Sequence, residues 1–157
     1  MGTRKIRFQP AKYYKGLTRK QKIQREKEIK SHSKRNFTNK IAYTPFYTDT
    51  LAKTKPSSYT EQWNKLFPDA KSLDERAKVT GVPKRFLQES YNRGMAAWRT
   101  GHRPGASQQA WSYPRVSSML LCGKTHYTAD ADIVKRAKAA SPSARKWFSR
   151  CNVKCQI

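Results

Sequence analysis

Four side chains in this 157-residue sequence have the ligand types of a zinc centre. They are Cys122 and His126, separated by three residues, and Cys151 and Cys155, separated the same way. Thiolates and imidazoles hold zinc tetrahedrally, but two-residue spacing between cysteines is the more typical pattern, and neither pair has it. The alternative is one semi-buried thiol, Cys122, followed by two tail thiols, free or bridged to each other. Other catalytic constellations are missing. A metal nuclease needs clustered carboxylates, and aspartate plus glutamate total only 10 here. Asp130 and Asp132 fit helix-start residues better, because acids favour that end of the helix dipole. No Walker loop, zincin motif or nucleophile elbow occurs. The chain is therefore expected to be non-enzymatic and to need no cofactor.

The binding chemistry is cationic. Lysine plus arginine total 34, and the formal net charge is +24. Such a surplus repels itself on compaction and persists most easily beside a counter-charge: nucleic acid, an anionic membrane face or acidic protein surfaces. Four groups of basic side chains stand out. Lys84, Arg85 and Arg93, with Gln88 and Asn92, follow Ala77, Gly81 and Pro83 at offsets that suit a helix-turn-helix. An ordinary packed helical corner uses the same small residues. Arg99, His102 and Arg103 lie in a Gly- and Pro-rich joint that reads either as an anion-binding turn or as a rigid loop. Arg19, Lys20 and Lys22 lie in the basic opening, while Arg145 and Lys146 precede Trp147 and Phe148, as Lys12 and Lys15 flank Tyr13 and Tyr14. Cations interleaved with aromatics suit stacking on bases and also protein interfaces.

These residues require helices to position them. Thr18 to Gln21 forms a capping box before a run of good helix formers ending near Lys30, with only Ile23 and Ile29 apolar. A helix polar all round is solvated or pressed against charge. Ser58 to Glu61 forms a second capping box, followed by Tyr59, Trp63 and Leu66 at helical spacing and ended by Pro68. Ser72 opens a third helix, closed by Gly81. Leu87, Tyr91, Met95 and Trp98 make one apolar stripe up to Gly101. Ser107 caps the next helix, and Asp130 and Asp132 begin the last, before Pro142.

The predicted class is mainly α: a small helical bundle with an extended, basic N-terminal arm and a short basic C-terminal tail. The boundaries are 1–57 for the arm, 58–140 for the bundle and 141–157 for the tail. Residues 1–60 carry 16 lysines and arginines against Glu26, Glu28 and Asp49. Their apolar content is mostly scattered tyrosine and phenylalanine, too little to offset the entropy of ordering. Arm and tail aromatics are therefore expected at contacts, and the bundle tryptophans in a core. The longest apolar run, Met119 to Cys122, is far too short to cross a bilayer, and no secretory signal opens the chain.

The stretch from Tyr91 to Gly105, containing Met95-Ala96-Ala97-Trp98 and Gly101-His102-Arg103-Pro104, resembles a family of proteins from large DNA viruses of algae and amoebae. Gln109-Ala110-Trp111, Arg115-Val116, Gly81-Val82-Pro83, Gly123-Lys124-Thr125 and Asp130-Ala131-Asp132 extend the similarity, as does the basic opening from Leu17 to Lys22. Pro114 departs from that pattern, and a straight helix after Ser107 is not expected across it. The resemblance carries no catalytic residues. It implies a virion location, in the capsid shell of a particle assembled in the host cytosol. The implied role is a minor capsid protein, with the major capsid protein, other minor capsid proteins and an anionic inner membrane as partners. Double-stranded DNA is the alternative partner.

Overall fold

The structure, a computed structural model, describes residues 10–35 and 43–154. Among them the regular elements are helices and no strand occurs, so the chain is mainly α. No helix among the described residues is long and apolar enough to cross a membrane.

Local sequence explains most of the helix ends. α1 (Arg19–Ser33) starts with a reciprocal capping box: the Thr18 amide donates to Gln21 Oε1 at 2.8 Å, and the Gln21 amide donates to Thr18 Oγ1 at 3.4 Å. α2 (Ser58–Leu66) is capped by Ser57 rather than Ser58, because Ser57 Oγ accepts the Tyr59 amide. α3 (Leu73–Thr80) runs from the Ser72 cap to Gly81, which takes φ +77°, a left-handed stop that glycine adopts without steric cost. α4 (Lys84–Thr100) follows Pro83, and α5 (Gln108–Leu120) begins where Ser107 Oγ accepts the Ala110 amide. α5 continues through a buried Pro114 without breaking. Cys122 ends that stretch with φ +60°, in the place where glycine usually stands. α6 (Lys124–Tyr127), α7 (Ala131–Ala140) and α8 (Pro142–Lys154) complete the chain.

The chain divides into two compact units. The first comprises Met1–Lys55 and Met95–Trp111, and the second Pro56–Gly94 and Ser112–Ile157. Two short 3-10 turns, Ala11–Tyr13 and Tyr47–Leu51, join α1 in the first unit. There Tyr14, Ile29 and Phe46 form a buried cluster. The second unit has the larger core, built from Trp63, Phe86, Leu87, Val116, Met119, Leu120, Ile133, Trp147 and Phe148, with smaller neighbours. Three indoles are buried, and each donates to a backbone carbonyl: Trp63 to Ala70, Trp98 to Ala106 and Trp147 to Leu120. Within the second unit α4 crosses α5 at Gly94, where an added Cβ would lie 2.9 Å from Ser112 Cα.

Two expected boundaries change. The extended arm over 1–57 is, in its described parts, folded. Its aromatics find a core in residues 95–111, which lie far away in sequence and so leave no local periodicity. The tail, in its described residues, is α8 (Pro142–Lys154). Ser141 Oγ accepts the Ala144 amide, and Pro142 takes the first helical position. Ala144, Trp147, Phe148 and Cys151, spaced i, i+3, i+4 and i+7, are all buried. The arm and tail aromatics Tyr14, Phe46, Trp147 and Phe148 are thus core residues, not contacts.

Candidate functional site

In the first unit, the joint containing Arg99, His102 and Arg103 closes on an internal anion, Asp49. Asp49 accepts hydrogen bonds from Arg25 Nη1 at 2.7 Å, His102 Nε2 at 2.7 Å, the Phe46 amide at 2.9 Å and the Gly105 amide at 3.1 Å. Burial alone would raise this carboxyl's pKa. The hydrogen bonds and charges of His102 and Arg25 outweigh it and hold the carboxyl below its usual value. Arg25 is fully buried on α1 and also donates to Tyr13 O, Thr48 Oγ1 and His102 O, with its guanidinium 4.7 Å from the Phe46 ring centre. α1 is therefore pressed against charge, as one of the two readings of its polar sequence required. Glu28 accepts from Thr48 Oγ1 at 3.2 Å, and burial raises its carboxyl above the usual range against the opposing effect of Thr48.

His102 is fully buried, stacked 4.3 Å from the Trp98 ring, and its Nδ1 faces Trp98 O at 2.9 Å. Both ring nitrogens are occupied, so neither can exchange a proton with a substrate. Arg99 Nη1 donates to Arg35 O, while Arg103 is exposed. Gly105, at φ +85°, is obligatory here: a Cβ would collide with Ala52 O.

In the second unit, α3, Gly81 and α4 make the expected corner, but its polar side chains are engaged within the chain. Arg93 makes a two-pronged ion pair with Asp132, at 2.8 and 2.7 Å, and reaches Glu89 at 3.2 Å. These contacts raise the Arg93 pKa, the hydrogen bond to Asp132 foremost, and lower that of Asp132 in return. Arg136 joins the network through Glu89 at 2.6 Å. Lys84 pairs with Asp74, Arg85 lies over Phe86, and Gln88 donates to Asn92. Asp130 stands at the N-cap position of α7, with Asp132 in its first turn, but the Asp130 carboxylate makes no cap hydrogen bond. It is fully buried and accepts from Ser90 Oγ and Arg115.

The sulphurs of Cys122 and Cys151 are bonded to each other, with Cα atoms 5.3 Å apart. The zinc reading is corrected accordingly, since a disulfide offers no thiolate. Cys155 lies outside the described residues. Among the described residues no group of three or more His, Cys, Asp or Glu side chains is placed to hold a metal. The three described members of the quartet are nevertheless together: His126 Nδ1 lies 3.8 Å from Cys151 Sγ and 3.1 Å from Met119 O.

The remaining predicted cations face outward. Arg19 and Lys20 are exposed on α1, with Lys22 half-buried, and Arg145 and Lys146 are exposed on α8. No carboxylate among the described residues pairs with any of these five. Sequence reasoning missed Lys135 and Arg150, which extend the exposed cations on α7 and α8. It also missed Arg25, Asp49 and Arg76, whose partners are distant in sequence. Arg76 is buried between the Trp63 and Tyr113 rings, at 4.8 and 4.9 Å, and donates to Ser117 Oγ at 2.6 Å. Burial pushes its guanidinium down to about 10.

Fold and charges together define a helical, strongly cationic protein with paired internal carboxylates and outward-facing basic helix faces. Residues 10–136, most of the chain, match the DUF5824 family of unknown function, and the chain belongs to that family. No curated protein and no solved structure matches it.

Proposed function

We propose that this chain is a non-enzymatic structural protein of a large DNA virus particle, a minor capsid protein that cements major capsid proteins. One observation carries the reading: the direction of the charges. Asp49 and Asp130 are turned inward, and Glu89 and Asp132 are tied to Arg93 and Arg136. The exposed cations of α1 and α8 therefore keep their attraction for an outside acidic surface. Acidic faces of major or other minor capsid proteins are such surfaces, and so is an anionic inner membrane. The viral setting rests on the resemblance of the Tyr91 to Gly105 stretch.

The alternative is DNA binding. Its helix-turn-helix form draws little support, because Lys84, Arg85, Gln88, Asn92 and Arg93 already have partners within the chain. A non-specific polycation remains the competing form. Fractionation of purified particles separates the two readings. A fixed copy number in the emptied shell is expected, and release with the genome overturns the capsid role. Purified protein should also bind duplex DNA without sequence preference, with affinity falling steeply as salt rises.

A further inference from the structure

We propose that Cys122 is a thiol-exchange site. A small thiol of the glutathione type attacks its sulphur, and Cys151 departs as a thiolate held by His126. The inference is independent of the capsid reading, because it concerns the interior chemistry of the second unit alone.

The two sulphurs are unequal. Cys122 is half-buried, at the end of the α5 stretch, whereas Cys151 is 1% exposed inside the core. An incoming thiolate therefore reaches Cys122 and not Cys151. The leaving sulphur then needs stabilisation where water is excluded. His126 supplies it. Its Nδ1 faces the Met119 carbonyl at 3.1 Å, and a carbonyl only accepts, so Nδ1 bears the proton. The same N–H is 3.8 Å from Cys151 Sγ and is ready to donate to a thiolate formed there. Burial, ahead of the opposing Met119 contact, lowers the ring's pKa, which favours this neutral, singly protonated form. A leaving thiol of lower pKa leaves faster.

The steps balance without another oxidant or reductant. The external thiolate forms a bond to Cys122 Sγ, the Cys122–Cys151 bond breaks, and its electron pair goes to Cys151. A second thiolate attacks the external sulphur of the mixed disulfide and releases Cys122 as thiolate. The protein gains two electrons and two protons, and two external thiols become one disulfide. α8 keeps other anchors after reduction. Trp147 still donates to Leu120 O, and Ala144 and Phe148 stay buried. The exchange therefore loosens the end of α8 without removing the helix.

The test uses the full chain carrying Cys155→Ser, so that a third thiol cannot shuffle the products. The oxidised protein is incubated with reduced glutathione, quenched with iodoacetamide and mapped by peptide mass spectrometry. Glutathione on Cys122 with alkylated Cys151 is the expected intermediate, formed while the helical circular dichroism is unchanged. Glutathione on Cys151, or reduction only after helicity is lost, overturns the proposal. His126→Asn keeps an N–H donor near the Nδ1 position, and His126→Leu removes it. Exchange should slow by roughly three- to tenfold in the leucine variant and recover in the asparagine variant. Equal rates in both would remove His126 from its positioning role, and a wild-type adduct on Cys151 would remove the site itself.

Discussion

Asp49 gathers four hydrogen-bonding groups of the first unit, two of them on cationic or potentially cationic side chains. Removing it leaves the buried Arg25 guanidinium without its counter-charge. Asp49→Ala is therefore expected to destabilise the protein by about 3–5 kcal/mol, the range for breaking a buried pair on one side. Urea unfolding followed by tryptophan fluorescence measures it. The same residue sets an acid limit. Its folded pKa lies below the usual 3.8, so its stabilisation is complete above that value and is lost as pH falls through the lower folded value. Glu28 has the opposite sign. Its folded pKa is raised, so its contribution is present below the usual 4.5 and is lost as pH rises through the folded value. A pH titration of thermal stability should accordingly lose an acid-side limb in Asp49→Asn and an upward-pH decline in Glu28→Gln. Only the anion-binding reading of the His102 joint was legible in the sequence. Its partners Arg25 and Asp49 lie tens of residues away, and each alone reads as an ordinary surface polar residue.

Helices and their ends were the most legible features, because caps and apolar spacing act within one or two turns. Thr18, Ser72, Gly81 and Ser107 do what their types imply. α8 carried its own signal in the spacing of Ala144, Trp147, Phe148 and Cys151, masked by the surrounding lysines and arginines. α6 is too short to show a period. Packing between helices is less readable, since Gly94 gains its meaning only from Ser112 on the next helix. Gly94→Ala places a Cβ against backbone that cannot swing aside, and a loss of about 1–3 kcal/mol is expected. Trp147→Ala should cost about 3–5 kcal/mol, as for a large core residue. A dispensable tail would show almost no change in the same denaturant midpoint.

For the whole molecule the excess of 24 positive charges acts at longer range than any pair. Neighbouring cations repel over roughly 10 Å at ~0.1 M salt and over longer distances below it. The thermal midpoint should rise between ~0.01 M and ~0.1 M sodium chloride, and rise further with a polyanion such as heparin. A midpoint that falls with salt would mean that the Arg93, Asp132 and Arg136 network dominates over the net repulsion. A counter-charge supplied from outside should thus add to the stability of the native protein.

The bond from Arg25 to the His102 carbonyl spans 77 positions of the chain. At a synthesis rate of about 5–20 residues per second, Arg25 waits roughly 4–15 s for that partner to be made. Throughout that interval the nascent segment is a basic stretch of chain without its closing carbonyl, next to a ribosome made largely of RNA. Completion of the first unit thus waits until residues 95–111 have been made, and ribosome-bound chains stopped short of His102 should retain a protease-sensitive start.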